Sequence, residues 1–166
     1  MYIAKLNDIM YRTMFECTFF YFPDTADSFN IDVIADSGCV NTLLPLWVAI
    51  ECQGLALPMK RKINIAGNSR VAQAYTIPRF EIGGYTFTNI FVYAAEFENE
   101  LEDKMLLGLN VMNNLRHTID RSKGQFEFIE SLPSSIPNTS FPYRNYFDDF
   151  GNYVLLSDDI IESAKQ

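Results

Sequence analysis

The sequence predicts an all-β fold, a small closed or sandwiched β-barrel with one or two short helices. Three observations favour this class. Runs of aromatic and β-branched residues alternate with short turn-forming segments, helical patterns are sparse, and the connections between the runs are hairpin-like. We find no strand-helix-strand crossover long enough for parallel pairing, so the sequence predicts an antiparallel arrangement.

Four hairpins are expected, each made of two strand-type runs around turn-forming residues. In chain order their arms are 14–22 and 29–35, 63–65 and 71–77, 80–82 and 85–87, and 119 and 125–129. The tip of the second hairpin, Ala66-Gly67-Asn68-Ser69, is small, polar and flexible in composition. Gly83-Gly84 in the third supplies the positive φ angles of a two-residue turn.

Two short helices are expected between these hairpins. Residues 45–54 have Pro45 near the start, Gly54 past the end and apolar residues at helical spacing. Residues 109–115 form the second candidate. The 166 residues, of which 48% are hydrophobic, suffice for one domain with a packed core.

Charge and cysteine content limit the classes of partner. The net charge is −8 and the chain has no basic stripe, so we do not expect it to bind nucleic acid. The N-terminus has no signal-peptide pattern, and no apolar stretch approaches the roughly 20 residues of a membrane span. The three cysteines have no Cys-x-x-Cys spacing, which favours reduced thiols. We therefore expect a soluble cytoplasmic protein without membrane contact.

The candidate functional motif is Asp36-Ser37-Gly38, which directly follows the apolar strand-type run 31–35. A carboxylate in apolar surroundings must find hydrogen-bond donors or keep its proton, because an isolated buried charge is costly. Asp36 is therefore a candidate acid or base. The tripeptide is also ordinary turn chemistry, in which Asp bonds its own backbone and Gly takes a positive φ.

A second element comes about seventy residues later. The apolar strand-type run 104–107, which contains Leu106 and Leu107, stops at Gly108 and leads into a short helix. The order of apolar strand, Asp-Ser-Gly turn, flexible-tipped hairpin and apolar-apolar-Gly element resembles the retroviral-type (retropepsin-like) aspartic proteases. This resemblance extends from about residue 14 to residue 129.

The resemblance implies a small closed barrel of the retropepsin type and an aspartic endopeptidase. Asp36 would be the catalytic aspartate, Ser37 would brace the turn, and Gly38 would allow close approach of the backbone. Residues 66–69 would be the tip of a flap over a peptide or protein substrate. The family's chemistry uses two aspartates that share a proton and needs no metal or other cofactor.

A second Asp-Ser/Thr-Gly motif is absent from the sequence, since both 24–26 and 27–29 lack the glycine. One chain therefore has half of such a site. A twofold homodimer that brings Asp36 against its symmetry mate would supply the other half. A protease-like barrel that binds a peptide or protein without cleaving it is the alternative.

Two features depart from the family pattern. Cys39 stands where the family most often has Ala, and a buried Cys can act simply as a small hydrophobe. Residues 1–130 form the expected protease domain, and residues 131–166 are a C-terminal extension without counterpart in the minimal viral enzymes. Its aromatic run 141–147 and strand-type run 153–156 predict packing on the barrel or on the dimer partner. We favour the barrel, because the acidic end would repel its symmetry copy.

Three other chemistries fit the sequence less well. Cys17, Cys39, Cys52 and His117 lack the paired spacing of a zinc site. Cys39 and His117 could form a thiol protease pair, but no local signature supports the nucleophile. The segment 67–69 is too short for a phosphate-binding loop.

Overall fold

Strands dominate the structure, as the alternation of apolar and polar residues predicts. A computed structural model describes residues 2–7, 12–22, 24–36, 38–65, 67–83, 85–98, 101–113, 115–120, 125–130 and 145–166. The strands are β1 (Tyr2–Asn7), β2 (Arg12–Phe20), β3 (Ser28–Ala35), β4 (Leu43–Pro45), β5 (Leu55–Ile65), β6 (Asn68–Ile82), β7 (Tyr85–Ala95), β8 (Lys104–Leu107), β9 (Leu115–Asp120), β10 (Gln125–Glu130), β11 (Asn145–Phe147) and β12 (Tyr153–Leu155). The helices are α1 (Leu46–Glu51), α2 (Leu109–Met112) and α3 (Asp158–Ala164).

The four predicted hairpins are confirmed as β2–β3, β5–β6, β6–β7 and β9–β10, all antiparallel. In the β6–β7 turn Gly83 has a φ of 56°, as a primed turn requires, while Gly84 lies outside the described residues. The strands β6 and β7 are longer than the predicted runs, so one strand serves two hairpins. Both predicted helices are present, although the second ends at Met112 rather than residue 115.

The barrel closes through strands that are distant in sequence. In the order β6-β7-β4-β8-β3-β2, each strand pairs with the next, and β2 pairs back onto β6. The prediction of purely antiparallel pairing was wrong, because β3 is parallel to β8 and β4 is parallel to β7. The chain that connects β3 to β8 contains α1 and the long strands β5–β7. It therefore lacks the strand-helix-strand pattern by which parallel pairing is usually recognised in a sequence.

The barrel interior is filled by large apolar side chains from the strands around it. Phe80 packs between Phe19 and Phe87, with ring centroids 5.3 and 5.1 Å apart, and all three rings are fully buried. Cys17 and Cys52 lie in the same core as unpaired, buried residues. This core fixes β3, and therefore the position at which the loop after β3 begins.

The C-terminal residues 145–166 pack on the barrel of the same chain. They form the β11–β12 hairpin followed by α3, a helix that the sequence reading missed. The side chain of Ser157 caps α3 by accepting a hydrogen bond from Ile160 N at 3.3 Å. Within the described residues, no helix has the length and apolar character needed to cross a membrane.

Candidate active site

Asp36 is the first residue after β3, and hydrogen bonds hold both its backbone and its side chain in place. Its N–H donates to the carbonyl of Leu107 at 3.0 Å, which ties the loop to β8. Its Oδ1 accepts a hydrogen bond from Gly38 N at 2.9 Å, and Cys39 N donates to the Asp36 carbonyl at 3.1 Å. The result is a tight turn that holds a half-buried carboxylate at the end of β3, next to the buried residues Val33 and Ile34.

Gly38 is favoured because there is little room for a side chain, not because of its backbone conformation. Positive φ values occur at Gly67, Gly83 and Gly151, but Gly38 is not among them. A Cβ at Gly38 would lie 3.2 Å from Asp36 Oδ1, so a side chain there would crowd the carboxylate. Ser37 lies outside the described residues.

The predicted apolar-Gly element lies directly beside this turn. The backbone of β8 runs parallel to β3, with Leu106 opposite Ile34 and Leu107 opposite Ala35. Leu109 N donates to the Cys39 carbonyl at 2.9 Å, which continues the contact beyond the strands. A Cβ at Gly108 would lie 2.7 Å from both Asn41 C and Thr42 N, so only glycine fits.

A buried polar pair, Thr42 and Asn110, locks the two segments together and was missed by the sequence analysis. Asn110 Oδ1 accepts from both the N–H and the hydroxyl of Thr42 at 2.8 Å, and Gly108 N donates to Thr42 Oγ1 at 3.0 Å. Asn110 Nδ2 donates to the Phe91 carbonyl at 2.9 Å. A polar Asn between apolar residues at the start of a short helix is the signal that could have revealed it.

The β5–β6 hairpin has a shorter tip than the predicted residues 66–69. Ile65 pairs with Asn68, and Asn64 pairs with Ser69, so Asn68 and Ser69 belong to β6. Of the predicted tip residues, only Gly67 lies in the described turn, and Ala66 lies outside the described residues. Gly67 has a φ of 81°, as its place in such a turn demands.

Cys39 does not have the properties of a nucleophile. Its Sγ donates to the Asn41 carbonyl at 2.8 Å. Burial, and to a smaller extent the nearby Asp36 charge, raise the pKa of the Cys39 thiol to about 12, against a smaller lowering by Arg61. The thiol is therefore neutral near pH 7, which disfavours the thiol protease hypothesis. Cys39 also packs against a different apolar cluster from Cys17 and Cys52, so these thiols do not form the zinc set considered above.

A cavity of about 690 Å³ has no residue of this loop in its lining. It is bounded by the start of α1, the end of β7 and residues 102–103, with Trp47 and Ile50 among its apolar lining. Asp36 is not part of its lining. This cavity therefore does not mark the Asp36 site.

Comparison with known proteins gives one family and one fold. The family model described as Aspartyl protease matches residues 25–111, which is more than half of the chain. The structure is similar to the crystal structure of a retropepsin-like aspartic protease from Rickettsia conorii, with a TM-score of 0.55 and 18% sequence identity. That match covers 76% of this chain and 88% of the other. A search of curated proteins gives no match.

Proposed function

Because the chain belongs to the aspartyl protease family and has the retropepsin-like fold, we propose that it is an aspartic endopeptidase that acts as a homodimer. The observation that carries the proposal is the position of Asp36. Its carboxylate follows β3 in a turn fixed from both sides, and the sequence has a single Asp-Ser/Thr-Gly motif. Two protomers related by a twofold axis would therefore supply one carboxylate each.

Two carboxylates at close range share one proton, because like charges so near cannot both be ionised. In the proposed reaction the ionised Asp36 takes a proton from water as the water oxygen attacks the peptide carbonyl carbon. The neutral Asp36 of the other subunit donates its proton to the carbonyl oxygen. When this tetrahedral species collapses, the C–N bond breaks, the Asp36 that took the proton from water gives it to the leaving amine, and the other Asp36 takes a proton back from a hydroxyl of the species.

The remaining proposed roles are those that the resemblance to retropepsin-like proteases implies. Ser37 and Gly38 shape the turn, and residues 66–69 at the flap tip cover the bound peptide. Leu106, Leu107 and Gly108 hold the turn against the barrel. We place the enzyme in the cytoplasm, because its three cysteines are free thiols, as is usual in a reducing compartment.

Digestion of a diverse peptide library by the purified protein tests the activity, with mass spectrometry of the fragments. Cleavage within peptides supports an endopeptidase. Retention of peptides without cleavage, measured by pull-down with the same library, would instead favour the peptide-binding alternative.

A mixing experiment tests the shared dyad. If each site needs Asp36 from both subunits, adding an equal amount of Asp36→Asn protein to a fixed amount of wild type should lower its activity to about one half after subunit exchange. The control is the same mixture measured before the subunits have exchanged, when its activity should equal that of the wild-type protein alone. Activity that stays constant after complete exchange would show that each protomer acts alone.

Replacing Gly67 by Val should impair turnover through the flap. A Cβ there meets nothing within 4 Å, but a φ of 81° is strained for Val by about 1–2 kcal/mol. We expect kcat/KM to fall about tenfold, equal to about 1.4 kcal/mol of transition-state binding.

Gly151→Val is the matched control, because Gly151 has the same φ of 81° and equally open surroundings in the β11–β12 turn. Both variants should lose similar stability in urea denaturation, and only Gly67→Val should have the lower kcat/KM. Equal loss of activity in both variants would assign the effect to general strain rather than to the flap.

A further inference from the structure

The C-terminal residues 145–166 share an apolar cluster with both walls of the proposed substrate cleft. From the side of the catalytic turn, Cys39, Leu43 and Leu106 belong to this cluster or pack against it. From the flap side, Met59, Ile63 and Ile65 pack against it. Leu156, from the C-terminal segment, is buried within it, and Ile160 and Ile161 of α3 pack on it. We call this the cleft cluster.

The flap turns one face toward this cluster. Along β5 the residues 57, 59, 61, 63 and 65 are less exposed than their neighbours, so a single face of the strand is covered. Helix α3 packs against β5, and Arg61 on that face forms an ion pair with Asp149 at 3.5 Å. The C-terminal segment is therefore what covers the flap on the side that would face a substrate.

Backbone recognition adds to the apolar contact. The side-chain amide of Asn41 binds both polar groups of Phe147: its Nδ2 donates to the Phe147 carbonyl, and its Oδ1 accepts from Phe147 N, each at 2.8 Å. Asn41 lies in the loop that begins at Asp36. Tyr146 stacks on Phe91 at a centroid distance of 4.4 Å, and Tyr153 donates its hydroxyl proton to the Asn110 carbonyl at 2.9 Å.

Several features make the segment displaceable. No side chain of α3 is fully buried. Within the described residues, Asn145 Oδ1 is buried without a hydrogen-bond donor, and this unpaired acceptor weakens the docked state. The ion pair of Arg61 and Asp149 is largely exposed on the Asp149 side, so it contributes little. The contact of Leu156, which is 1% exposed, is the main apolar anchor.

We propose that residues 145–166 occupy the peptide-binding cleft of their own protomer and inhibit the enzyme until they are displaced. The inference rests on the proposed function, which places the substrate between the flap and the catalytic turn. A peptide can enter only in the fraction of molecules whose segment has left, so its apparent affinity is lowered by that fraction.

The test uses the full chain and two adjacent leucines. Leu156→Asp puts a charge into the cleft cluster and should release the segment, whereas Leu155 is 54% exposed and Leu155→Asp should not. We expect peptide hydrolysis by Leu156→Asp to rise about tenfold or more over wild type, and Leu155→Asp to match wild type. Equal activity in all three proteins would overturn the inhibition.

A binding measurement separates this proposal from the proposed function. A fluorescein-labelled peptide of residues 145–166 is titrated against proteins that also carry Asp36→Asn, so no turnover is needed. It should bind the Leu156→Asp protein and not the wild-type or Leu155→Asp protein, whose own segments fill the cleft. Absence of binding to the Leu156→Asp protein would overturn the occupied cleft. If the labelled peptide binds but no protein that retains Asp36 hydrolyses peptides, the occupied cleft is supported and the proposed protease activity is overturned.

A second release variant guards against misfolding of Leu156→Asp, which thermal denaturation would reveal. The double substitution Ile160→Asp and Ile161→Asp detaches α3 and leaves the β11–β12 hairpin unchanged. It should raise hydrolysis in the same direction as Leu156→Asp. A well-folded double variant with wild-type activity would contradict the proposal.

Discussion

Replacing Asp36 by Asn should abolish peptide hydrolysis while leaving the fold and the solution mass unchanged. Asn keeps the shape of the side chain and an acceptor for the 2.9 Å hydrogen bond from Gly38 N, so the turn should persist. It cannot accept and return the proton that the reaction requires. The loss should reach about 10²–10⁴-fold, the usual contribution of general acid–base catalysis, measured as kcat/KM on a fluorogenic peptide.

Asp32→Asn is the matched control for this substitution. Asp32 lies in β3, four residues before Asp36, and is exposed, so the same change in chemistry should leave kcat/KM unchanged. Light scattering should report the same mass for both variants as for wild type. Hydrolysis by the Asp36→Asn protein at the wild-type rate, in a preparation free of other proteases, would exclude the aspartic mechanism.

Replacing Gly108 by Ala should cause the largest loss of stability of the changes considered. The new Cβ would lie 2.7 Å from Asn41 C and Thr42 N and 2.8 Å from the Cys39 carbonyl oxygen. All three are backbone atoms, so no side chain can rotate away and the loop after Asp36 must move. We expect the free energy of unfolding, measured in urea, to be about 3 kcal/mol lower than that of the wild type. This is a large share of a typical total of about 5–15 kcal/mol.

Gly67→Ala provides the comparison, because a Cβ at Gly67 meets nothing within 4 Å. Gly67→Ala should lower the free energy of unfolding by only about 1 kcal/mol, because Ala is strained at a positive φ. The Gly108→Ala protein that remains folded should also have low activity, since the displaced segment carries Asp36. Wild-type stability in the Gly108→Ala protein would show that the two loops do not pack as closely as described.

Local patterns in the sequence were enough for the hairpins and for the order of the motif elements. Turn chemistry at Gly83 and the apolar runs on either side are short-range signals, and the structure has the strands that they predict. The pairing of β3 with β8 could not be read in this way. It joins residues far apart in sequence through strands that themselves look like independent hairpins.

The contacts around Asp36 were predicted less completely. The sequence indicated residues 36–38 and 106–108 as separate elements, and the structure brings them together through Asp36 N and the Leu107 carbonyl. Thr42 and Asn110 were missed, because one buried polar pair has no periodicity. The contact of the C-terminal segment with the cleft cluster was also missed, although Leu156, Ile160 and Ala164 recur at helical spacing.

The parallel pairing of β3 with β8 has a consequence for how the protein matures. Asp32 pairs with Lys104, and the chain between them must fold back before β3 gains this neighbour. Such distant pairing is slow, because the entropy of closing a long loop is lost before the contact forms. During synthesis on the ribosome, the turn that holds Asp36 therefore has no Leu107 carbonyl to bind until β8 has emerged. A nascent chain that already contains Asp36 therefore cannot complete this turn until residue 107, almost two thirds of the way along the sequence, has been made.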